Sequence, residues 1–405
     1  MISIKTINRL AEEAEEWAIE LRRDFHRWPE LGNEEYKTIE RIKYELTNLG
    51  IATEQVLETG LIGILNKRDK DIKSSEQNSE KLNRKVVALR ADIDALPMLE
   101  EVYLPFSSER KGCMHSCGHD VHTAVLLGAA RVLSEIKENI NGTVKFIFQP
   151  AEETTGGAER MIEKGCLETP KVDYILGLHV KPELPAGTIG IKYGKVHASS
   201  DMFKISVKGR KSHGAYPEEG IDAIVIASQI VANSQSIISR NISSLNPAVI
   251  TFGSIHGGNA INIVSDSVVL EGTIRALDTG TREYLKNRLK EVAKHTAKAS
   301  RASAEVEYIK GYCSLINDNI VVDVIKNVAF LETTIDKIVE LRDPSMGVED
   351  FAFFLEKVPG AFFFLGSGYK GRDNQGLHSS YFEVDEKCIK TGILIEVLSV
   401  LKLLN

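Results

Sequence analysis

Asp201-Met202-Phe203-Lys204-Ile205-Ser206-Val207-Lys208 is the stretch at which the pattern of the chain changes. Phe203, Ile205 and Val207 alternate with polar residues, which predicts a half-buried strand. Downstream, residues 221–238 read as a helix, 249–252 as a strand, and Val268, Leu270 and Thr273 as the start of another. A helix from 282 to about 300 and a strand over 304–309 follow. The order β-α-β-β-α-β is the ferredoxin-like split arrangement. It predicts a compact α+β module over 200–309.

The sequence on either side follows another rule. Ile7, Leu10, Ala14, Trp17, Leu21 and Phe25 recur at intervals of three and four, which predicts an amphipathic helix ending before Pro29. Residues 61–65 and 86–89 are short apolar runs, 144–148 and 174–178 are β-rich runs, and 125–136 has a helical pattern. Apolar strands alternating with helices predict an α/β domain with a mostly parallel sheet. Residues 321–405 again mix helices with strands such as 361–365. The expected organisation is therefore a catalytic domain of residues 1–199 and 310–405, interrupted by the module of 200–309. Between two of the strands, residues 67–85 hold only Ile72 and Leu82 as large apolar residues, and read as a solvated loop or insertion.

Composition narrows the function. At roughly 100–200 residues per domain, 405 residues suggest two or three domains. Lys+Arg 50 against Asp+Glu 57 gives a net charge of -7, whereas a non-specific nucleic-acid binder carries a basic excess. No apolar run approaches the ~20 residues of a membrane span. Five cysteines is a sparse, odd count, expected of a reducing cytoplasm rather than of a disulfide framework.

Metal-ligand types concentrate at a few places. Cys117 and His119 flank Gly118, and Glu152 and Glu153 follow the strand predicted over 144–148. His179 follows the strand predicted over 174–178, and His378 lies in a loop after the strand near Phe363. Taken singly, a histidine after a strand is usually structural, a Glu-Glu pair solvated and a cysteine a small buried apolar residue. Together they gather at predicted C-terminal strand ends, the edge where open α/β sheets bind ligands. A thiolate with imidazoles and carboxylates suits zinc, manganese, cobalt or nickel.

The motifs resemble those of the dinuclear metal amidohydrolases of the aminoacylase and carboxypeptidase G superfamily. They are most similar to the subfamily of hippurate hydrolases, N-acyl-amino-acid amidohydrolases and auxin-conjugate hydrolases. The resemblance runs from His26-Arg27-Trp28-Pro29-Glu30-Leu31-Gly32 through Arg90-Ala91-Asp92-Ile93-Asp94 and Cys117-Gly118-His119-Asp120. It continues through Gln149-Pro150-Ala151-Glu152-Glu153, His213-Gly214-Ala215-Tyr216-Pro217, Asn259-Ala260-Ile261-Asn262, Gly272-Thr273-Ile274-Arg275 and His378-Ser379.

The resemblance implies two divalent ions per chain, held by Cys117, His119, Glu153, His179 and His378. It implies Glu152 as general base and Asp94 as a carboxylate orienting a ligand. It makes the 200–309 module a lid and dimerisation domain, whose His213 reaches a partner subunit's site and whose Asn262 and Arg275 hold the substrate carboxylate. The ions would acidify a water, and Glu152 would take its proton and pass it to the leaving amine. The implied activity is hydrolysis of N-acyl amino acids by a homodimer or higher homo-oligomer. A metallocarboxypeptidase or dipeptidase is the alternative, since both cleave an amide beside a free carboxylate. A scaffold that has lost turnover is a third reading, which the retained Glu152 and five ligand candidates oppose. Departures from the subfamily pattern fall at Glu218, Asp222-Ala223 and Val348. They bear on lid contacts and substrate preference rather than on the ligands.

Overall fold

The computed structural model describes residues 2–66, 84–331 and 337–405. Most of the 67–85 insertion therefore lies outside the described residues. The chain divides into two compact units, one of Met1–Gly194, Ile316–Arg342 and Phe353–Asn405, the other of Lys195–Leu315 and Asp343–Ala352.

The first unit is built on an eight-stranded sheet. Its order is Ala52–Val56, Gly60–Asn66, Thr143–Gln149, Val86–Asp92, Tyr174–Pro185, Gly360–Gly368, Thr188–Ile191 and Lys337–Glu340. The centre is parallel, from Thr143–Gln149 through Val86–Asp92 and Tyr174–Pro185 to Gly360–Gly368. Antiparallel pairs flank this centre on both sides. Every residue of Val86–Asp92 and of Gly360–Gly368 is buried, as expected of strands covered on both faces. The first helix, Ile4–Arg27, buries Ile7, Leu10, Ala14, Leu21 and Phe25, the stripe its periodicity predicts. It packs with the helices His119–Glu135 and Cys388–Leu403 in one apolar core.

Glu396 interrupts that core. It is 1% exposed, and its Oε2 has no hydrogen-bond partner among the described residues. Burial alone pushes its carboxyl well above the usual range. The fold therefore opposes ionisation. The penalty is absent below the unfolded value and grows as pH rises towards the raised folded value. Glu396→Gln should raise Tm at pH 8 by about 2–4 °C, and by less at pH 5. Equal shifts at both pH values in thermal melts would contradict this.

The second unit carries a four-stranded antiparallel sheet in the order Ala248–Gly257, Ser267–Ala276, Ser199–Lys208, Ser303–Ile309. With the helices Ala223–Ser236 and Thr279–Ala299, this is the split βαβ order the sequence pattern predicts. Asp222 and Asp278 cap the two helices through their carboxylates. Arg282 grips Asp201 with two hydrogen bonds of 2.6 Å, tying the second helix to the first strand. Residues 343–352 join this unit from a distant part of the chain. Ala198 N–H donates to the carbonyls of Ser345 and Gly347, and Arg275 donates to that of Met346 at 2.6 Å.

Candidate metal centre

The site forms around the start of the helix His119–Glu135. Gly118 precedes that helix at φ 81, a backbone conformation costly to any residue with a Cβ. A Cβ there would also meet Val180 Cγ2 at 2.4 Å. The glycine thus turns Cys117 and His119 towards one point. His378, 261 positions from Cys117, reaches the same point because its N–H donates to the Ser116 carbonyl at 2.9 Å. The Pro150–Glu153 loop arrives from the end of the strand Thr143–Gln149.

The donor atoms of Cys117, His119 and His179 lie within 4.8 Å of one another, as do those of Cys117, Glu153 and His378. The two groups share the Cys117 thiol. Its sulfur is 3.3 Å from Nε2 of His179 and 3.3 Å from Nε2 of His378. Glu152, 8% exposed, joins His119 and Glu153 in a third such group.

The imidazoles of His119 and His179 are each oriented by a partner on the other side of the ring. His119 Nδ1 donates to the Asp94 carbonyl at 2.9 Å, which leaves Nε2 as the free donor atom. That Nε2 is buried and has no hydrogen-bond partner among the described residues. His179 Nδ1 donates to the Val180 carbonyl at 2.8 Å, again leaving Nε2 towards Cys117. Asp94 has a second duty, since its Oδ2 accepts the Glu153 N–H at 3.0 Å.

The electrostatics call for positive charge. Burial pulls the His119 imidazole down, yet Asp92, Asp94 and Glu153 outweigh it and push it up to about 10. Burial, then Glu153 and Glu152, push the Cys117 thiol well above its ordinary value. Burial, then His122, hold His179 well below its own. Burial raises the Glu153 carboxyl, but the bond with His378 and the charge of His119 carry it below the usual range. His378 is raised in turn by Glu153, 2.9 Å away. The crowded carboxylates, the thiol and the orphaned His119 Nε2 fit divalent ions that accept mixed N, S and O ligands. Cys117, His119, His179, Glu153 and His378 are the residues that would hold them.

Of the residues singled out in the sequence, Asp94, Cys117, His119, Glu152, Glu153, His179 and His378 come together here. His179 lies within the strand Tyr174–Pro185 rather than after a strand that ends at residue 178. That strand pairs with Val86–Asp92 only as far as Gly177, while on its other side His179 pairs with Phe364 of the strand Gly360–Gly368. His213, Asn262 and Arg275 belong to the second unit. There His213 pairs with Ile263 in a short ladder, Gly214 N–H donates to the Asn262 carbonyl at 2.7 Å, and Arg275 holds Met346.

The flanking histidines behave differently from each other. His122 donates from Nδ1 to Asp92 at 2.6 Å and accepts the Val180 N–H on Nε2 at 2.9 Å. Arg90 braces Asp92 at 2.7 Å. This chain holds, through its N–H, the residue whose carbonyl orients His179. Neither ring nitrogen of His115 has a hydrogen-bond partner among the described residues. His26 is fully buried and bonds to Asp120 at 2.8 Å and Glu100 at 3.1 Å.

Comparison with known proteins places the centre in a family. The chain is 38% identical over 378 residues to the N-acetyl-L-cysteine deacetylase of Bacillus subtilis, spanning 93% of this chain and 85% of that protein. It is 37% identical over 411 residues to thermostable carboxypeptidase 1 of Saccharolobus solfataricus, spanning 99% of each. A crystal structure of a Bacillus subtilis dinuclear metal-binding peptidase superposes with TM-score 0.83 at 32% identity, covering 97% of this chain and 99% of that one. Residues 88–401 match peptidase family M20/M25/M40. The chain therefore belongs to peptidase family M20/M25/M40 and is a metal-dependent hydrolase of linear amide bonds.

Proposed function

We propose that the protein hydrolyses N-acyl amino acids, releasing a carboxylic acid and a free amino acid. The observation that carries the reading is the buried Glu152 beside two donor groups that share Cys117. When bound, two divalent ions, zinc or manganese with cobalt or nickel as alternatives, would supply Lewis acidity for amide attack. Glu152 takes a proton from the attacking water and delivers it to the departing nitrogen. Asp94 keeps His119 in the tautomer that presents Nε2 and steadies the Glu153 backbone. On the family resemblance, Asn262 and Arg275 are assigned to the substrate carboxylate and His213 to the oxyanion.

A metallocarboxypeptidase is the second reading, favoured by the 37% identity to a thermostable carboxypeptidase. A panel of N-acetyl, N-benzoyl and dipeptide substrates, assayed for amine release with zinc and with manganese, separates the two. Preferential turnover of the acyl amino acids is expected. Cleavage of dipeptides alone would overturn the reading.

A homodimer is proposed through the second unit. Its edge strand Ala248–Gly257 exposes Val249 and Ile255 and offers unpaired backbone groups. A single monomeric species in sedimentation at micromolar concentration would refute it. A reducing cytoplasm is the proposed compartment, since the centre needs Cys117 as a free thiol.

A further inference from the structure

We infer that Glu35 is a positioning residue: its buried carboxylate holds the Ala151 peptide and so sets where Glu152 and Glu153 stand. Glu35 occupies the position before the helix Tyr36–Asn48, yet its side chain makes no capping bond to that helix. It turns inward and is fully buried. There its Oε1 accepts the Ala151 N–H at 2.8 Å.

Ala151 is an unusual residue to hold. Its φ of 56 lies in the left-handed region, which a non-glycine residue keeps only when its surroundings over-determine it. The grip is double. Glu35 binds the amide of residue 151 and Asp94 binds that of residue 153 at 3.0 Å, with Glu152 between them. Gly156 N–H closes the turn on the Ala151 carbonyl at 3.0 Å. The segment leading to Glu35 packs directly against the same loop: a Cβ on Gly32 would meet Thr154 Oγ1 at 2.5 Å and Ala151 Cα at 3.1 Å. Burial raises the Glu35 carboxyl to about 7, restrained by bonds with Thr59 and Ala151. Either protonation state keeps an oxygen that can accept the amide.

Only the kinetic arm of the test rests on Glu152 as general base. Hydrogen exchange on the metal-free protein reads the loop itself. Glu35→Gln retains an acceptor and should keep kcat and exchange at residues 151–153 near the parental values. Glu35→Leu removes the acceptor. It should accelerate exchange locally at 151–153 and lower kcat by about 100-fold, with KM little changed. Glu35→Asp, which retains the charge but cannot reach, should move both in the same direction by less, and serves if the leucine variant does not fold. Unchanged exchange at 151–153, exchange raised uniformly across the unit, or local loosening with parental kcat would each overturn the inference. A Glu152→Gln variant with parental kcat would instead refute the base assignment and leave the exchange result standing.

Discussion

Replacing Glu152 with glutamine should lower kcat by about 10²–10⁴-fold while both metal ions stay bound. The two side chains have nearly the same shape, so the packing of a residue 8% exposed is retained. What is lost is a group able to take a proton. Glu152 lies with His119 and Glu153 in one donor group, close enough to serve whatever attacks at the centre. It is also absent from the two groups that share Cys117, which is why its loss should spare the ions. The measurement pairs elemental analysis with kcat and KM on an N-acyl amino acid. KM should move little, because the lost interaction belongs to the transition state. Parental turnover would show that another group moves the proton. Loss of an ion would show that Glu152 is a ligand.

The legible part of this molecule was what period and local spacing carry. Continuous apolar runs such as Val86 to Leu89 and Ala361 to Leu365 became buried strands, because strands covered on both faces have no polar side to alternate with. Phe203, Ile205 and Val207 alternated because their sheet is covered on one face. Cys117 and His119 were visible as a pair because one glycine separates them. Local spacing fails where a fold joins distant positions. Asp92 meets His122 across 30 positions, and His122 meets Val180 across 58. His26 lay on a helix with a clear apolar stripe. Nothing in that stripe distinguishes a solvated histidine from one bonded to Asp120, 94 positions away. Nothing local marks Glu35: its carboxylate meets the Ala151 amide, 116 positions on. Residues 343–352 joined the second unit through backbone bonds, which leave no mark on residue type.

Replacing Cys117 with alanine should cost the centre both ions, because Cys117 is the donor common to its two groups. Removing partners that merely orient ligands weakens metal affinity by about 10–100-fold, so losing a shared ligand should exceed about 100-fold. Turnover should fall in parallel. The fold should not, since a buried thiol behaves as a small apolar side chain and its truncation costs about 1 kcal/mol. Cys113 supplies the internal control. It is 3% exposed, four positions before Cys117, and its thiol faces the Pro29 carbonyl at 3.5 Å. Burial raises that thiol to about 11, and no metal-competent group among the described residues includes it. Cys113→Ala should therefore retain two ions and full activity. Comparing the variants by elemental analysis after gel filtration separates a ligand effect from general damage near the helix start. If Cys117→Ala keeps two ions, the sulfur does not join the two groups, and each ion must be held by imidazoles and carboxylates alone. If Cys113→Ala loses them as well, the deficit belongs to the packing around Gly118, the residue that turns Cys117 and His119 towards one another.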